Sequence, residues 1–169
     1  MKTLLRGCIW LLFLSFTTVG NPHLQWLREN LTTVQSAYGG NELPYTITKT
    51  YTFYDSAFVI RTEKVFEDKE LNGPLYFSKV RYKDIIRRDT TGIGKAIGSK
   101  NSVSEESCAD FLYFNLEVAN LYTAAGREPA ANGRWLSLNE ATSLELYLPT
   151  DKELSTGAMQ KLIQLASGF

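Results

Sequence analysis

Hydrophobic and polar residues alternate most regularly between residues 45 and 66. The odd positions from 45 to 53 are aromatic or aliphatic except for Lys49, and the even positions from 46 to 52 are all threonine. This period of two is typical of a strand with one buried and one exposed face. The turn residues 54–56 separate this strand from a second one, 57–66. The pattern therefore predicts an antiparallel strand pair that needs a larger sheet and a cover for its aromatic face.

Further along the chain, shorter segments show the same character. They lie at 75–82, at 110–117, at 135–138 and at 144–148, and another begins at Ile85-Ile86. The glycines of 92–98 lack the spacing of a dinucleotide-binding or P-loop motif, which indicates a loop that the polar residues 102–106 continue. Short polar turns without intervening helices favour antiparallel pairing. We therefore predict a mainly β, α+β fold, with about seven antiparallel strands in a bent sandwich or partly open barrel.

Two amphipathic helices flank this β region. The first is predicted from Asn21 to Tyr38, because Asn21-Pro22 resembles a helix start, apolar residues recur at helical spacing, and Gly39-Gly40 end the pattern. The second follows Pro149, where Thr150 and Glu153 have the spacing of a capping box. Its apolar stripe predicts a helix that caps the β framework; the stripe consists of Leu154, Ala158, Leu162 and Leu165.

The first 20 residues have the three parts of a secretory signal peptide. Lys2 and Arg6 form a basic start, residues 8–16 form an apolar run, and Thr18 and Gly20 are small residues before a cleavage site. The apolar run is shorter than the roughly 20 residues that a spanning helix needs, which disfavours a membrane anchor. We expect export to the periplasm or the extracellular space, no transmembrane span in the mature chain, and one domain over residues 21–169.

Charge and cysteine content narrow the classes of partner. Removal of Lys2 and Arg6 takes the 18 basic residues to 16, against 18 acidic residues. A chain so close to neutral is not typical of nucleic-acid binders, and we expect no nucleic-acid partner. Cys108 then has no second cysteine for an intrachain disulfide, and its acidic neighbours disfavour the thiolate. We interpret Cys108 as structural; a reactive thiol or a bridge between two chains is the alternative.

Catalytic and metal-binding patterns are weak. His23 is the only histidine, which leaves no multi-histidine metal site, and no nucleophile elbow of the G-x-S-x-G type occurs. Acidic residues in the predicted strands, such as Glu63 and Glu145, fall at outward positions. We expect no enzyme activity, no metal and no cofactor, with a carboxylate-based hydrolase as the open alternative.

Basic residues concentrate in the segment 79–100, which contains seven of them and only two acidic residues, Asp84 and Asp89. Such a strand face suits an anionic ligand or an envelope protein with an acidic surface. The alternative is a solvated face whose charges protect an exposed strand from edge pairing. The candidate contact surface is this basic strand face together with the loop 89–104; its candidate residues are Lys79, Arg81, Lys83, Arg87, Arg88 and Lys95.

A second hypothesis comes from the aromatic strands. If the sheet encloses a cavity beneath the C-terminal helix, the protein would carry a small apolar ligand. The candidate lining residues are Tyr51, Phe53 and Phe114.

Three packing motifs carry a family resemblance: Trp26-Leu-Arg-Glu-Asn-Leu31, Tyr82-Lys-Asp-Ile85 and Leu162-Ile-Gln-Leu165. With the signal peptide and aromatic strands, this layout is similar to a group of small exported bacterial proteins of unknown function. It also resembles pleckstrin-homology-like domains, which implies a bent seven-stranded barrel capped by a C-terminal helix. The additional N-terminal helix departs from that layout and leaves open a cone-shaped α+β fold, in which helices precede a curved sheet. Neither resemblance specifies a function.

Overall fold

The computed structural model describes residues 20–38, 44–86, 89–100, 111–126 and 134–168, with the backbone alone at 36–38 and 100. Within these ranges, the chain forms two antiparallel sheets, a C-terminal helix and a short N-terminal helix. The arrangement is a partly open sandwich, which confirms the predicted fold class. The predicted signal peptide, up to residue 19, and Cys108 lie outside the described residues.

The larger sheet has six strands in the order β1-β2-β3-β4-β7-β8, and the smaller has three in the order β5-β6-β9. The helices are α1 (Pro22–Asn30), α2 (Ile93–Ala96) and α3 (Lys152–Ser167), and the 3-10 turns are Lys69–Leu71 and Tyr82–Asp84. The strands are β1 (Thr33–Tyr38), β2 (Tyr45–Phe53), β3 (Ala57–Phe66), β4 (Tyr76–Arg81), β5 (Gly98–Lys100), β6 (Phe111–Val118), β7 (Leu121–Ala125), β8 (Leu136–Leu138) and β9 (Thr142–Leu148).

The predicted hairpin of β2 and β3 lies near the centre of the larger sheet. Its register runs from Tyr45 opposite Phe66 to Phe53 opposite Phe58, and the turn is closed by the Tyr54 N–H, which donates to the Ala57 carbonyl at 2.8 Å. Odd-numbered residues of β2 and even-numbered residues of β3 face the main core, which includes Tyr51, Phe53, Phe58 and Ile60. The apolar positions that alternate along the sequence are therefore those that face the core.

Side chains of β2 join the two sheets. The Tyr51 hydroxyl donates to the Tyr147 carbonyl at 2.7 Å and accepts from the Tyr147 N–H at 2.9 Å. Lys49 Nζ donates to the Glu145 carbonyl at 2.7 Å and lies 3.7 Å from the centroid of the Tyr147 ring. Strand β9 is an edge of the smaller sheet, so these side chains satisfy outward backbone groups that no neighbouring strand of its sheet reaches.

Helices α1 and α3 pack together against this framework. Asn21 caps α1, since its side-chain oxygen accepts from the N–H groups of His23 and Leu24. Asp151 caps α3 by accepting from the Leu154 N–H at 2.9 Å, one residue after the capping position that the sequence suggested. At Gly157, a Cβ atom would lie 3.4 Å from the indole of Trp26, so the glycine lets the ring lie close to α3. Of the apolar stripe predicted for α3, Ala158, Leu162 and Leu165 are buried, whereas Leu154 is half-buried.

The first helix ends eight residues earlier than predicted. It stops at Asn30, and residues 33–38 form β1, which pairs with β2 from Thr33 opposite Thr50 to Tyr38 opposite Tyr45. The β-branched run Thr32-Thr33-Val34 favours the extended state. Val34 is buried in β1, and the apolar stripe of the predicted helix required the same burial, so this residue did not distinguish helix from strand.

The strand predicted to begin at Ile85-Ile86 is reduced to one bridge over the residues that the structure describes, which stop at Ile86, before residues 87 and 88 of the predicted strand. Tyr82–Asp84 form a 3-10 turn, and Ile85 makes a single antiparallel bridge with Val118. The turn is held because the Asp84 carbonyl accepts from the Ala119 N–H at 2.7 Å. The sequence analysis predicted no strand at the position of β7, and it interpreted the glycine-containing segment that holds α2 and β5 as a loop.

The Tyr51 hydroxyl provides a first test. Tyr51→Phe leaves both backbone groups of Tyr147 without this partner, and we expect the free energy of unfolding to fall by about 1–3 kcal/mol. Urea denaturation measures the change. Tyr76→Phe is the matched control, because Tyr76 is 54% exposed and its change should stay within about 0.5 kcal/mol. Equal effects of the two substitutions would contradict the role of Tyr51.

Alkaline pH provides a second test. Burial raises the pKa of Tyr51 and of Tyr82 above the ordinary tyrosine range. Above about pH 10, tyrosines of the unfolded chain lose protons that these two keep in the folded state, so the free energy of unfolding decreases as pH rises. Denaturation at a series of pH values from 8 upward should show this decline. Tyr51→Phe should make the decline shallower, and an unchanged slope would contradict the assignment.

Candidate functional site

The face of the larger sheet that turns away from the main core carries Lys79 and Arg81. Strand β4 directs Val80 into the core, where it is fully buried, so its two basic neighbours project from the opposite side. The register extends this side across β2, β3, β4, β7 and β8 in a row that contains Thr52, Val59, Lys79, Tyr122 and Ser137. We call this surface the outer face; its members are Thr50, Thr52, Val59, Arg61, Phe77, Lys79, Arg81, Tyr122 and Ser137.

Lys79 lies at the centre of the outer face. Its direct neighbours across the strands are Val59 and Tyr122, and its Nζ lies 5.5 Å from the centroid of the Trp135 ring. Among the described residues, no carboxylate forms an ion pair with Lys79. The lysine therefore presents a positive charge beside an aromatic ring.

Arg81 is held by its own turn. Its Nε lies 2.5 Å from Asp84 Oδ2, and its Nη2 donates to Asp84 Oδ1 at 3.1 Å. The hydrogen bond to Asp84 raises the pKa of Arg81, and the guanidinium lies 4.8 Å from the Tyr122 ring centroid. The Asp84 side chain is only 8% exposed and also accepts from Asn120 at 3.3 Å. Arg81 therefore compensates a buried carboxylate and links β4 to the corner between β6 and β7.

A small apolar layer lies within the outer face. Val59 is 5% exposed and Phe77 is 2% exposed, although neither belongs to the main core. The register places Lys79 beside Val59 and Arg61 beside Phe77. Long basic side chains cover apolar surface with their methylene stems while their charged ends remain in water. The outer face thus combines apolar residues close to the sheet with positive charges above them.

Of the remaining candidate basic residues, the two that the structure describes, Lys83 and Lys95, do not join this row. Lys83 is exposed on the 3-10 turn, and Lys95 is exposed on α2, whose Gly94 lies close to Thr156 of α3. Arg87 and Arg88 lie outside the described residues, as does the 101–104 part of the candidate contact loop. The structure therefore brings Lys79 and Arg81 together on one face and places Lys83 and Lys95 on other elements.

The order of the strands in the larger sheet tests whether the basic residues of β4 serve to prevent edge pairing. Strand β4 lies between β3 and β7, so neither Lys79 nor Arg81 stands on an edge strand. Charges on an internal strand do not block edge pairing. A solvated outer face and a binding surface remain the two interpretations of Lys79.

The three candidate cavity residues pack in the main core. Tyr51 and Phe53 are 5% exposed and Phe114 is 1% exposed. The rings of Tyr51 and Phe53 stack with centroids 6.4 Å apart, and Phe53 contacts Phe58 at 5.9 Å between centroids. All three residues therefore belong to the packed main core.

A surface cleft of about 470 Å³ lies elsewhere, between the start of α1 and the end of α3. Leu24 and Leu165 provide its apolar wall. Arg28 and Asp55 pair across it at 3.4 Å, and Arg28 Nε also donates to the Phe53 carbonyl at 2.9 Å. These side chains already satisfy one another, which makes the cleft a weaker candidate than the outer face.

Two further properties of the described ranges bear on function. No group of three or more His, Cys, Asp or Glu residues within them is arranged to hold a metal ion. No helix among them has both the length and the apolar character needed to cross a membrane.

Sequence reasoning missed the aromatic residues that lie beside Lys79 and Arg81. Tyr122 lies on β7 and Trp135 directly precedes β8. Tyr122 alternates with the inward-facing Leu121 and Thr123, which is a short period-two signal. A five-residue strand with two alanines provides too little contrast for that signal to stand out.

Comparisons with models of protein families, with curated proteins and with solved structures found no match to this chain. The resemblance to small exported bacterial proteins and to pleckstrin-homology-like domains therefore stays a prediction.

The two basic residues of β4 should respond differently to removal of their charge. Arg81→Met leaves the buried carboxylate of Asp84 with Asn120 as its remaining described side-chain partner, and we expect a loss of about 1–3 kcal/mol in the free energy of unfolding. Lys79→Met keeps an apolar stem beside Val59 and should change stability by less than about 0.5 kcal/mol. Urea denaturation of both variants measures the difference. A loss for Lys79→Met as large as that for Arg81→Met would contradict these separate roles.

Proposed function

We propose that this protein is an exported, non-enzymatic binding module that contacts an anionic partner through its outer face, centred on Lys79. The observation that carries the proposal is the position of Lys79 on an internal strand, beside Trp135 and with no ion pair among the described residues. A lysine in this setting is available to an external anion, and edge protection does not explain its position.

The other two cations of the outer face, Arg61 and Arg81, already have carboxylate partners, which Lys79 lacks among the described residues. Arg81 is committed to Asp84, and Arg61 lies 2.9 Å from Glu63 with both side chains about 40% exposed. A partner that approaches Lys79 therefore meets one available charge flanked by two compensated ones. We expect electrostatic complementarity to orient the partner and to increase the rate of association.

The aromatic residues provide the second part of the surface. Tyr122 and Trp135 lie beside the cations at centroid distances of 4.8 and 5.5 Å. Tyrosine, tryptophan and arginine are enriched in the energetically dominant part of binding interfaces. Since adjacent strands are about 4.8 Å apart, the row from Thr52 to Ser137 spans about 19 Å. A surface of that length suits an extended anionic segment.

A charge reversal at the centre of the outer face tests the proposal. A short polyglutamate peptide serves as the anionic probe, and amide chemical shifts map where it contacts the protein. We expect Lys79→Glu to weaken binding by about five- to tenfold, because it replaces an attractive contact with a repulsive one. Lys95→Glu is the matched control, since Lys95 is an exposed lysine on α2 and its reversal changes the net charge equally.

The location of the shifts and the salt dependence decide the outcome. The proposal predicts shifts along the row from Thr52 to Ser137 and weaker binding at higher ionic strength. Equal weakening by both reversals would indicate a response to net charge alone, and would contradict a site centred on Lys79. Shifts confined to α2, or no binding by the wild-type protein, would also overturn it.

A further inference from the structure

A second cluster of cation and aromatic rings lies on the opposite face of the β2–β3 hairpin. Lys64 Nζ is 3.7 Å from the centroid of the Tyr45 ring and 4.6 Å from the centroid of the Phe66 ring. The two rings are 5.4 Å apart and inclined at 51° to each other. The ammonium group therefore lies against two ring faces at once.

The backbone holds the two rings in place. Tyr45 and Phe66 are direct partners in the antiparallel register, and the Phe66 N–H donates to the Asn72 side chain at 2.8 Å. Strand β1 extends the same row, because Tyr38 is the register partner of Tyr45. A site built on paired strands keeps its ring geometry better than one built on a loop.

Lys64 is held less firmly than the rings. It is exposed, whereas Tyr45 and Phe66 are half-buried. Among the described residues, no carboxylate forms an ion pair with Lys64. Its side chain gains rotamer freedom if it leaves the rings, and its ammonium regains water, since lysine ammonium is strongly hydrated. The lysine is thus an occupant that another cation can displace.

The chemistry of the rings indicates which cation would compete best. Aromatic faces attract cations through the ring quadrupole, and sites built from several rings recognise quaternary ammonium groups. A quaternary nitrogen has no N–H donors, so it gives up fewer hydrogen bonds to water than lysine does when it contacts two rings. Its methyl groups also bury apolar surface against them.

We propose that Tyr45 and Phe66 form a binding site for a quaternary ammonium group, with Lys64 as its internal, displaceable occupant. The site does not depend on the proposed function, because its residues and the outer face lie on opposite sides of the sheet. It also takes a cation, whereas the outer face takes an anion. A failure of one proposal therefore leaves the other intact.

Removal of the internal occupant tests the site. Tetramethylammonium chloride is the probe, sodium chloride at the same concentration is the control, and the aromatic resonances of Tyr45 and Phe66 report binding by NMR. Lys64→Ala should bind the probe about two- to fivefold more tightly than wild type, because the variant has no lysine ammonium to compete with the probe for the two rings. Phe66→Leu should lose binding, and its amide spectrum shows whether the fold is kept.

A matched control uses another lysine over a ring. Lys161 Nζ lies 5.0 Å from the Trp26 ring centroid, with one ring in place of two, so Lys161→Ala should leave the affinity for the probe unchanged. If Lys64→Ala binds no more tightly than wild type, or if the shifts fall at Trp26, the proposal is overturned.

The source of the quaternary ammonium group is a separate arm of the experiment. Choline in solution and phosphatidylcholine vesicles carry the same group. Competition between choline and the probe without vesicle binding identifies a free small molecule. Vesicle binding that Lys64→Ala strengthens identifies a lipid headgroup. Failure of both choline and the vesicles to compete with the probe would contradict a site for this class of ligand.

Discussion

The contact between the side chains of β2 and the edge of β9 joins the two sheets of this protein. A partly open sandwich leaves strand edges whose backbone groups need partners, and in β9 these partners are side chains from the other sheet. Tyr51 satisfies both backbone groups of Tyr147, and Lys49 satisfies the carbonyl of Glu145. Because Tyr51 is almost fully buried, its hydrogen bonds form where water cannot replace them.

This arrangement assigns different tasks to the two faces of the larger sheet. The inward face is used by the core, the contact with β9 and the packing of α1 and α3. Tyr51 and Phe53, two of the three candidate cavity residues, are among its packed side chains. Among the described residues, the hydrogen bonds that join β2 to β9 all come from the inward face. The two basic residues of β4 on the outward face have different partners. Arg81 stabilises the buried carboxylate of Asp84, while Lys79 lies beside the Trp135 ring. The proposed binding surface follows from that difference.

The sequence predicted the parts of the fold that depend on local alternation. The threonine and aromatic positions of β2 predicted its two faces, and the apolar stripe of α3 predicted its packing. The sequence also showed Lys49 as the exception among the apolar positions of β2, but its partner lies 96 residues away and no local pattern reveals it. The same limit applies to Asp84, whose role depends on Arg81 and Asn120 together.

Helix and strand were confused where one set of buried residues fits both. Val34 is buried in a strand, although its spacing from Leu27 and Leu31 also fits a helix, and the β-branched neighbours were the evidence that favoured β1. Only the basic residues of the candidate site were predicted from the sequence. The basic character of β4 is visible in the sequence, but the aromatic residues beside it come from β7 and from the residue before β8, which only the sheet order brings near.

The most direct test of this account is the rate of hydrogen exchange at the Tyr147 amide, measured by NMR in the wild-type protein under native conditions. All three residues from Leu146 to Leu148 are in register with β6, but the Tyr147 N–H donates to the Tyr51 hydroxyl of the other sheet at 2.9 Å. The account predicts that the Tyr147 amide exchanges as slowly as those of its two neighbours. Exchange at the rate of an open strand edge would show that the two sheets are not joined in this way.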